Sequence, residues 1–396
     1  MQPSKPASND ETRTQSQNDA PSAIVLVIDR LTAGAIGPYG NTSLDTPELN
    51  RWAADGVLFD QVIANSVDLS QVYDSWWNGE DRDHASLKPE ASLLTDDPEV
   101  AKHPGVDQFD QVQVCEISSP IQPEVPAFSA AATQMATFFA QATQALTQFQ
   151  PGSLLWLHSQ GMSQRWDAPL DYRLSQCGPD DPPPPDFVRA PSQWIDPATA
   201  DPDQMLGLEQ AYAAQVLLLD QLLTIFTQTL KEDAQFNNTW LLLASPRGYP
   251  LGRHGVVGDA VDPEFAGTKL HHENLHVPLI VCPPARLSQR FATGRCGQLL
   301  SSSTLPDMLK AIFDHSGETH LMEYLTHSNG ADTNSPEPSI VTRYDCATAV
   351  QTANWKLITN GNQHRLFSKP DDRWEVNNVA DRCPTELEEL QNLLPD

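Results

Sequence analysis

Ala23-Ile24-Val25-Leu26-Val27-Ile28-Asp29 is an unbroken apolar run closed by a carboxylate. Ile24, Val25, Val27 and Ile28 are β-branched, which suits a pleated backbone. A short apolar run without alternation predicts a strand buried on both faces, as in a parallel sheet. Ligands of open α/β sheets lie beyond the C-terminal ends of the strands, so Asp29 stands at a natural site position. A carboxylate there can equally well do no more than cap the next turn. Downstream, Thr46-Pro47 reads as an N-cap with proline at the first helical position, and the spacing predicts a helix over 46–54. Leu49, Trp52 and Ala53 supply its buried stripe. Gly56 ends it, and 57–59 lead into a second extended segment.

Further strands are predicted at 91–94, 111–117, 153–158, 239–244 and 277–282. Helices are predicted at 128–149, 206–230 and 303–315, where apolar residues recur every three or four places. Strands alternating with helices predict an α/β fold, a mainly parallel sheet flanked by helices on both faces. A long loop over 159–203 contains the run Pro182-Pro183-Pro184-Pro185. Short strands at 344–348, 355–358 and 365–367, then a helix at 384–394, predict a small C-terminal antiparallel α+β subdomain. The expected organisation is a disordered tail over 1–22, an α/β domain over 23–335 and the subdomain over 336–396.

The 396 residues carry 24 basic and 52 acidic side chains, a formal charge of -28, which argues against nucleic acid or an anionic membrane as partner. The six cysteines are scattered with no Cys-x-x-Cys pair, so neither a zinc site nor a redox motif is indicated. No apolar run reads as long enough to span a bilayer. The polar first 22 residues lack the apolar core of a signal peptide, and the expected location is cytoplasmic.

Residues 24–59 resemble the N-terminal part of sulfatases, members of the alkaline-phosphatase-like superfamily. The matching text is Val27-Ile28-Asp29, then Gly37-Pro38-Tyr39-Gly40-Asn41, then Thr46-Pro47-Glu48-Leu49-Asn50 through Asp55-Gly56-Val57-Leu58-Phe59. The family form is a Tyr-Gly loop followed by Thr-Pro-Asn-Leu-Asp-x-Leu-Ala-x-Glu-Gly-Val-x-Phe. Residues 212–223 resemble the helix before the family's second metal segment. His276-Val277-Pro278-Leu279-Ile280 is similar to its Arg-Val-Pro-Leu-Ile strand. Asn354-Trp355-Lys356-Leu357-Ile358, Leu366-Phe367 and Trp374-Glu375-Val376-Asn377-Asn378 resemble the end of many sulfatases. The likeness runs from about residue 23 to the C-terminus.

The resemblance implies sulfate-ester hydrolysis with a Ca²⁺ or Mg²⁺ cofactor held by hard oxygen ligands. This chain departs from it at the chemistry. The family's first Asp-Asp pair is Asp29-Arg30 here, and its Ser-Asp-His-Gly or Ser-Asp-Asn-Gly is Ser245-Pro246-Arg247-Gly248. Three of four expected ligands are therefore replaced, two of them by arginine, which cannot ligate a metal. No metal cofactor is expected. Counting back from Gly79, the nucleophile position is Leu69 and the following arginine position is Tyr73. Ser70 is one place away, a turn of about 100° on a helix. Ser66 and Ser70 are candidate nucleophiles or ordinary loop residues. Ser163 stands where a catalytic histidine is expected. His158, His254 and Lys269 remain as candidate catalytic residues, with His271 and His272 replacing the family's Tyr-Glu.

The leading expectation is a pseudo-sulfatase, possessing the fold without turnover. Arg30 and Arg247, with Asp29, are then candidate binding residues for sulfate, phosphate or their esters. Alternatively each arginine pairs with a carboxylate such as Asp29. Two rivals stand beside it: an active hydrolase of sulfuric or phosphoric esters using Ser70, and a scaffold or partner subunit whose protein partner the sequence does not name.

Overall fold

The computed structural model describes residues 20–77, 89–116, 124–285, 287, 293–314, 316–317, 319–320, 323 and 338–394. Every residue of the first strand, β1 (Ser22–Ile28), is buried. Its neighbours are β2 (Val57–Ile63), β3 (Ala91–Thr95), β4 (Gln111–Val114), β5 (Leu154–Ser159), β7 (Thr239–Ala244), β9 (Leu279–Cys282) and β10 (Gly294–Ser301). They form one eight-stranded sheet in the order β10-β2-β9-β7-β1-β5-β3-β4. β1 pairs in parallel with β5 on one side and β7 on the other. Only β9 runs against the rest, antiparallel to both β2 and β7. Two short strands, β6 (Gln193–Trp194) and β8 (Val256–Val257), pair separately.

Period-two alternation divides β1 between two cores. Ile24, Leu26 and Ile28 pack into one cluster with α1 (Pro47–Asp55), α3 (Gln134–Leu146) and α4 (Pro202–Glu232). Ala23, Val25 and Val27 pack into the other with α2 (Leu69–Trp77) and α5 (Leu305–Phe313). α4 is 31 residues long, opened by the Asp201 cap and Pro202. By length and apolar content it could cross a membrane, contrary to the sequence expectation, yet 61% of its apolar window is buried in the protein, as in a core helix. Its buried Asp220 accepts from the Glu48 and Leu49 amides at 3.2 and 2.8 Å and so fastens the start of α1.

The C-terminal sheet is β11 (Ile340–Tyr344), β12 (Ala347–Gln351), β13 (Trp355–Asn360) and β14 (Gln363–Ser368), antiparallel throughout. α6 (Pro384–Gln391) covers a small core of Val350, Leu357, Leu366 and Leu390. Boundaries shift where caps and turns intervene. The helix expected from 128 starts at Gln134, because Thr133 caps it. The strand expected over 344–348 is a hairpin corner, with Asp345 at φ 51°. β10 is absent from the sequence reading, since Gly294, Gly297 and Gln298 break its apolar pattern. Ser22 belongs to β1 rather than to a tail. The expected tail over 1–19, the strand end at 117, helix end at 315, Gly79 and the boundary at 335/336 lie outside the described residues.

Candidate functional site

The C-terminal ends of β1, β5 and β7 lie side by side, with Val27 in register with both His158 and Ala244. That places Asp29 and Arg30, His158 and Ser159, and the segment 245–248 at one edge of the sheet. Asp29 is buried, and Arg247 grips it with two prongs: Nε donates to Oδ1 and Nη2 to Oδ2, each at 3.0 Å. Nη1 of Arg247 donates to the Val67 carbonyl at 3.2 Å. Burial pushes the Asp29 carboxyl up, but the charge and hydrogen bonds of Arg247, then the charge of Arg30, hold it below its ordinary value.

Arg30 is equally buried and adopts φ 66°, a left-handed backbone that a side chain rarely takes. Tyr212 secures the kink, donating to the Arg30 carbonyl at 2.8 Å and accepting from the Thr32 amide at 3.0 Å. Nη1 of Arg30 donates to the Gly248 carbonyl at 2.9 Å and to Asn274 Oδ1 at 3.0 Å, and Nη2 contacts the Asp259 carboxylate. Gly248 has no room for a side chain, since a Cβ there would lie 2.0 Å from the Glu273 carbonyl. Lys269 is buried nearby and donates to the Gly258 carbonyl at 2.9 Å. Burial, then the charge of Arg30, lowers Lys269 to about 8.

His158 is fully buried. Its Nδ1 faces the Tyr73 hydroxyl, and its Nε2 has no hydrogen-bond partner among the described residues. Burial lowers it to about 4, so the ring is neutral at neutral pH. Tyr73 occupies the position where the resemblance expects arginine. It stacks on Trp77 at 3.9 Å between ring centres and meets Trp76 edge-on at 5.5 Å. Trp156 and Phe109 complete this aromatic cluster.

The other candidates lie apart. Ser70 is exposed in the first turn of α2, and His103 directs its Nε2 at the Ser70 backbone carbonyl, at 3.1 Å, rather than serving the hydroxyl. Ser66 donates to Gln71 at 2.8 Å and accepts from the Asp68 amide, a turn network. His254 stacks on His271 at 3.6 Å and bonds to the Trp374 carbonyl at 3.0 Å. Burial, then His271, lowers it to about 3. His271 in turn meets Glu375 at 2.7 Å, so both rings belong to the joint with the C-terminal sheet.

The structure thus joins Asp29, Arg30, Arg247 and Lys269, sets His158 beside them, and leaves Ser70 and His254 elsewhere. Sequence reasoning missed Asp259 and Asn274, which no periodicity marks. It also missed Asp96, a buried carboxyl that burial raises to about 7 and that accepts from the Gln160 amide at 2.6 Å. An aspartate directly after the apolar strand β3 was the available clue. Among the described residues no group of three or more His, Cys, Asp or Glu could hold a metal ion. An open cavity of about 550 Å³ lies away from these strand ends, lined by Asp45, Tyr172 and Asp220 among others.

No family model and no curated protein matches the sequence. Solved structures do match. A phosphonate monoester hydrolase of Agrobacterium radiobacter superposes with TM-score 0.71 at 14% identity, over 94% of each chain. A protein solved in complex with its substrate D-glucosamine-2-N,6-O-disulfate gives 0.68 at 14% identity, over 95% of this chain and 97% of that one. A 2-O glycosaminoglycan sulfatase gives 0.64 at 16% identity, over 94% and 91%. Topology, the separate C-terminal sheet and this coverage agree: the chain has the alkaline-phosphatase-like fold of sulfatases and phosphonate monoester hydrolases.

Proposed function

We propose that this chain is a pseudo-sulfatase: a sulfatase-fold protein that turns over no sulfate ester and instead binds an oxyanion, a sulfate or phosphate or an ester of either, beside Arg30. The observation that carries the reading is the two-pronged Arg247 grip on Asp29. A divalent cation needs several oxygen ligands. Here the one retained carboxylate has both oxygens on a guanidinium, and Arg30 and Arg247 add positive charge where a cation would sit. The donor set therefore does not fit Ca²⁺ or Mg²⁺. The nucleophile side agrees. Leu69 stands at that position, and the helix behind it is locked by Tyr73, Trp76 and Trp77 into an aromatic core. What persists is positive charge from Arg30 and Arg247 after strand ends and from Lys269 in the helical turn 266–270. The sulfated substrate named for one fold neighbour is consistent with an oxyanion as ligand.

A thermal-shift series tests this. A ligand of the folded state raises the melting temperature by mass action. Sulfate and phosphate are expected to raise it, while Ca²⁺ and Mg²⁺ leave it unmoved and an aryl sulfate is not hydrolysed above the blank rate. Stabilisation by Ca²⁺ or Mg²⁺ that a chelator reverses, or measurable aryl sulfate turnover, would overturn the non-catalytic half. Indifference to both anions would overturn the other.

A further inference from the structure

Arg30 and Lys269 reach the same turn from two different elements. Arg30 Nη2 meets the Asp259 carboxylate, and Lys269 Nζ donates to the carbonyl of the preceding residue, Gly258, at 2.9 Å. The turn follows β8 directly. Gly258 takes φ 58°, and a Cβ there would stand 2.3 Å from the Pro191 carbonyl and 2.8 Å from the Tyr249 hydroxyl. Glycine is thus what lets a carbonyl and a carboxylate enter the pair of cations together.

The two carboxylates of the site are not equivalent. Asp29 is 1% exposed and cannot leave Arg247 without being stranded in the interior. Asp259 is 62% exposed although its partner Arg30 is 2% exposed. Its side chain can swing into water without desolvation cost, so it is the exchangeable counter-ion. Once it swings away, Arg30 and Lys269 present buried donors to whatever anion replaces it.

We propose that Asp259 is a built-in stand-in for the ligand: with the Gly258 carbonyl it fills the Arg30–Lys269 socket in the free protein, and a tetrahedral oxyanion binds by displacing it. This rests on the oxyanion reading above and adds what sets the affinity. The apparent dissociation constant is the intrinsic one divided by the fraction of molecules with Asp259 swung out. The displaced carboxylate also repels the incoming anion.

Calorimetric titration of the full chain with inorganic sulfate and inorganic phosphate tests it. Asp259→Asn keeps the shape and removes the charge, and is expected to tighten binding on the order of tenfold. Glu264→Gln removes the same charge from an exposed residue of the same loop and is expected to leave binding unchanged. Lys269→Gln in the Asp259→Asn background is expected to reverse the gain. Equal affinities for wild type and Asp259→Asn would overturn the stand-in while leaving the oxyanion reading intact. Equal gains in Asp259→Asn and Glu264→Gln would reduce the effect to overall charge and overturn it as well. Binding in neither wild type nor Asp259→Asn would overturn both. Should Lys269→Gln fail to fold, the comparison of the two carboxylate variants decides alone.

Discussion

At the scale of single residues, Arg247 and Asp29 form an internal ion pair at the strand ends. Arg247 reaches Asp29 across 218 positions of sequence and satisfies both of its oxygens. Such a pair is weak evidence for net stability, but removing one partner is costly because the other stays buried and charged. Arg247→Gln is therefore expected to destabilise the fold by about 3–5 kcal/mol. Urea unfolding should show a lower midpoint with an unchanged slope. A loss below about 0.5 kcal/mol, the range of ordinary surface substitutions, would mean that Asp29 does not depend on Arg247.

At the scale of elements, a second buried charge cluster ties the C-terminal sheet to the main domain. Glu375, at φ 58°, accepts from Lys356 of β13 and from Lys369 just after β14, each at 2.8 Å. On the other side it meets His271 Nδ1 at 2.7 Å and accepts from the His272 amide at 3.0 Å. Burial opposes its charge, yet Lys356, His271 and Lys369 hold its carboxyl well below the ordinary value. Glu375→Gln leaves Lys356, 1% exposed, without its counter-charge. The expected cost is about 3 kcal/mol or more, with faster proteolytic cleavage within 340–394 than elsewhere. Unchanged stability and an unchanged cleavage pattern would show that the four-stranded sheet docks without this clamp.

At the scale of the whole molecule, buried neutral histidines set how the protein responds to acid. Burial lowers His158 and His276 to about 4 and His254 to about 3. Unfolded, each titrates near 6.5. Below that pH the unfolded chain binds protons that the folded one refuses, so stability is full above about 6.5 and falls as pH drops toward each folded value. The slope is about 1.4 kcal/mol per pH unit for each ring. Glu375, depressed below 4.5, adds a further loss only once pH falls beneath that value. Asp96 and Glu273, raised by burial to about 7, and Asp220, raised to about 6, bind protons in the folded chain first and oppose that loss. At constant salt the melting temperature should therefore decline between about pH 6.5 and 4.5 by less than the rings alone require. The formal charge of -28 works in the opposite sense, since protonating carboxylates relaxes self-repulsion. The imidazole NMR resonances separate the rings from the carboxyls: rings that titrate near 6.5 in the folded protein would mean that they are not held neutral.

β1, β7, α1 and the core of α4 are legible in the chain alone, because continuous or periodic apolar runs carry their own instructions for burial. Order and spacing also carried the expectation that Arg30, Arg247, Leu69 and Tyr73 stand where the resemblance expects ligands, a nucleophile and an arginine. Which partners those side chains meet is set by folding. Whether Arg247 faces Asp29 or open solvent depends on three strands ending in register. The attachment of Arg30 to Asp259 depends on a turn that only Gly258 permits. His254 left the site for the C-terminal joint for the same kind of reason. The direction of β9 was likewise invisible, because its pairing partners lie far apart in the chain. A local pattern can fix what an element buries. A charge finds its counter-charge by distance in space, and that distance exists only once the chain has folded.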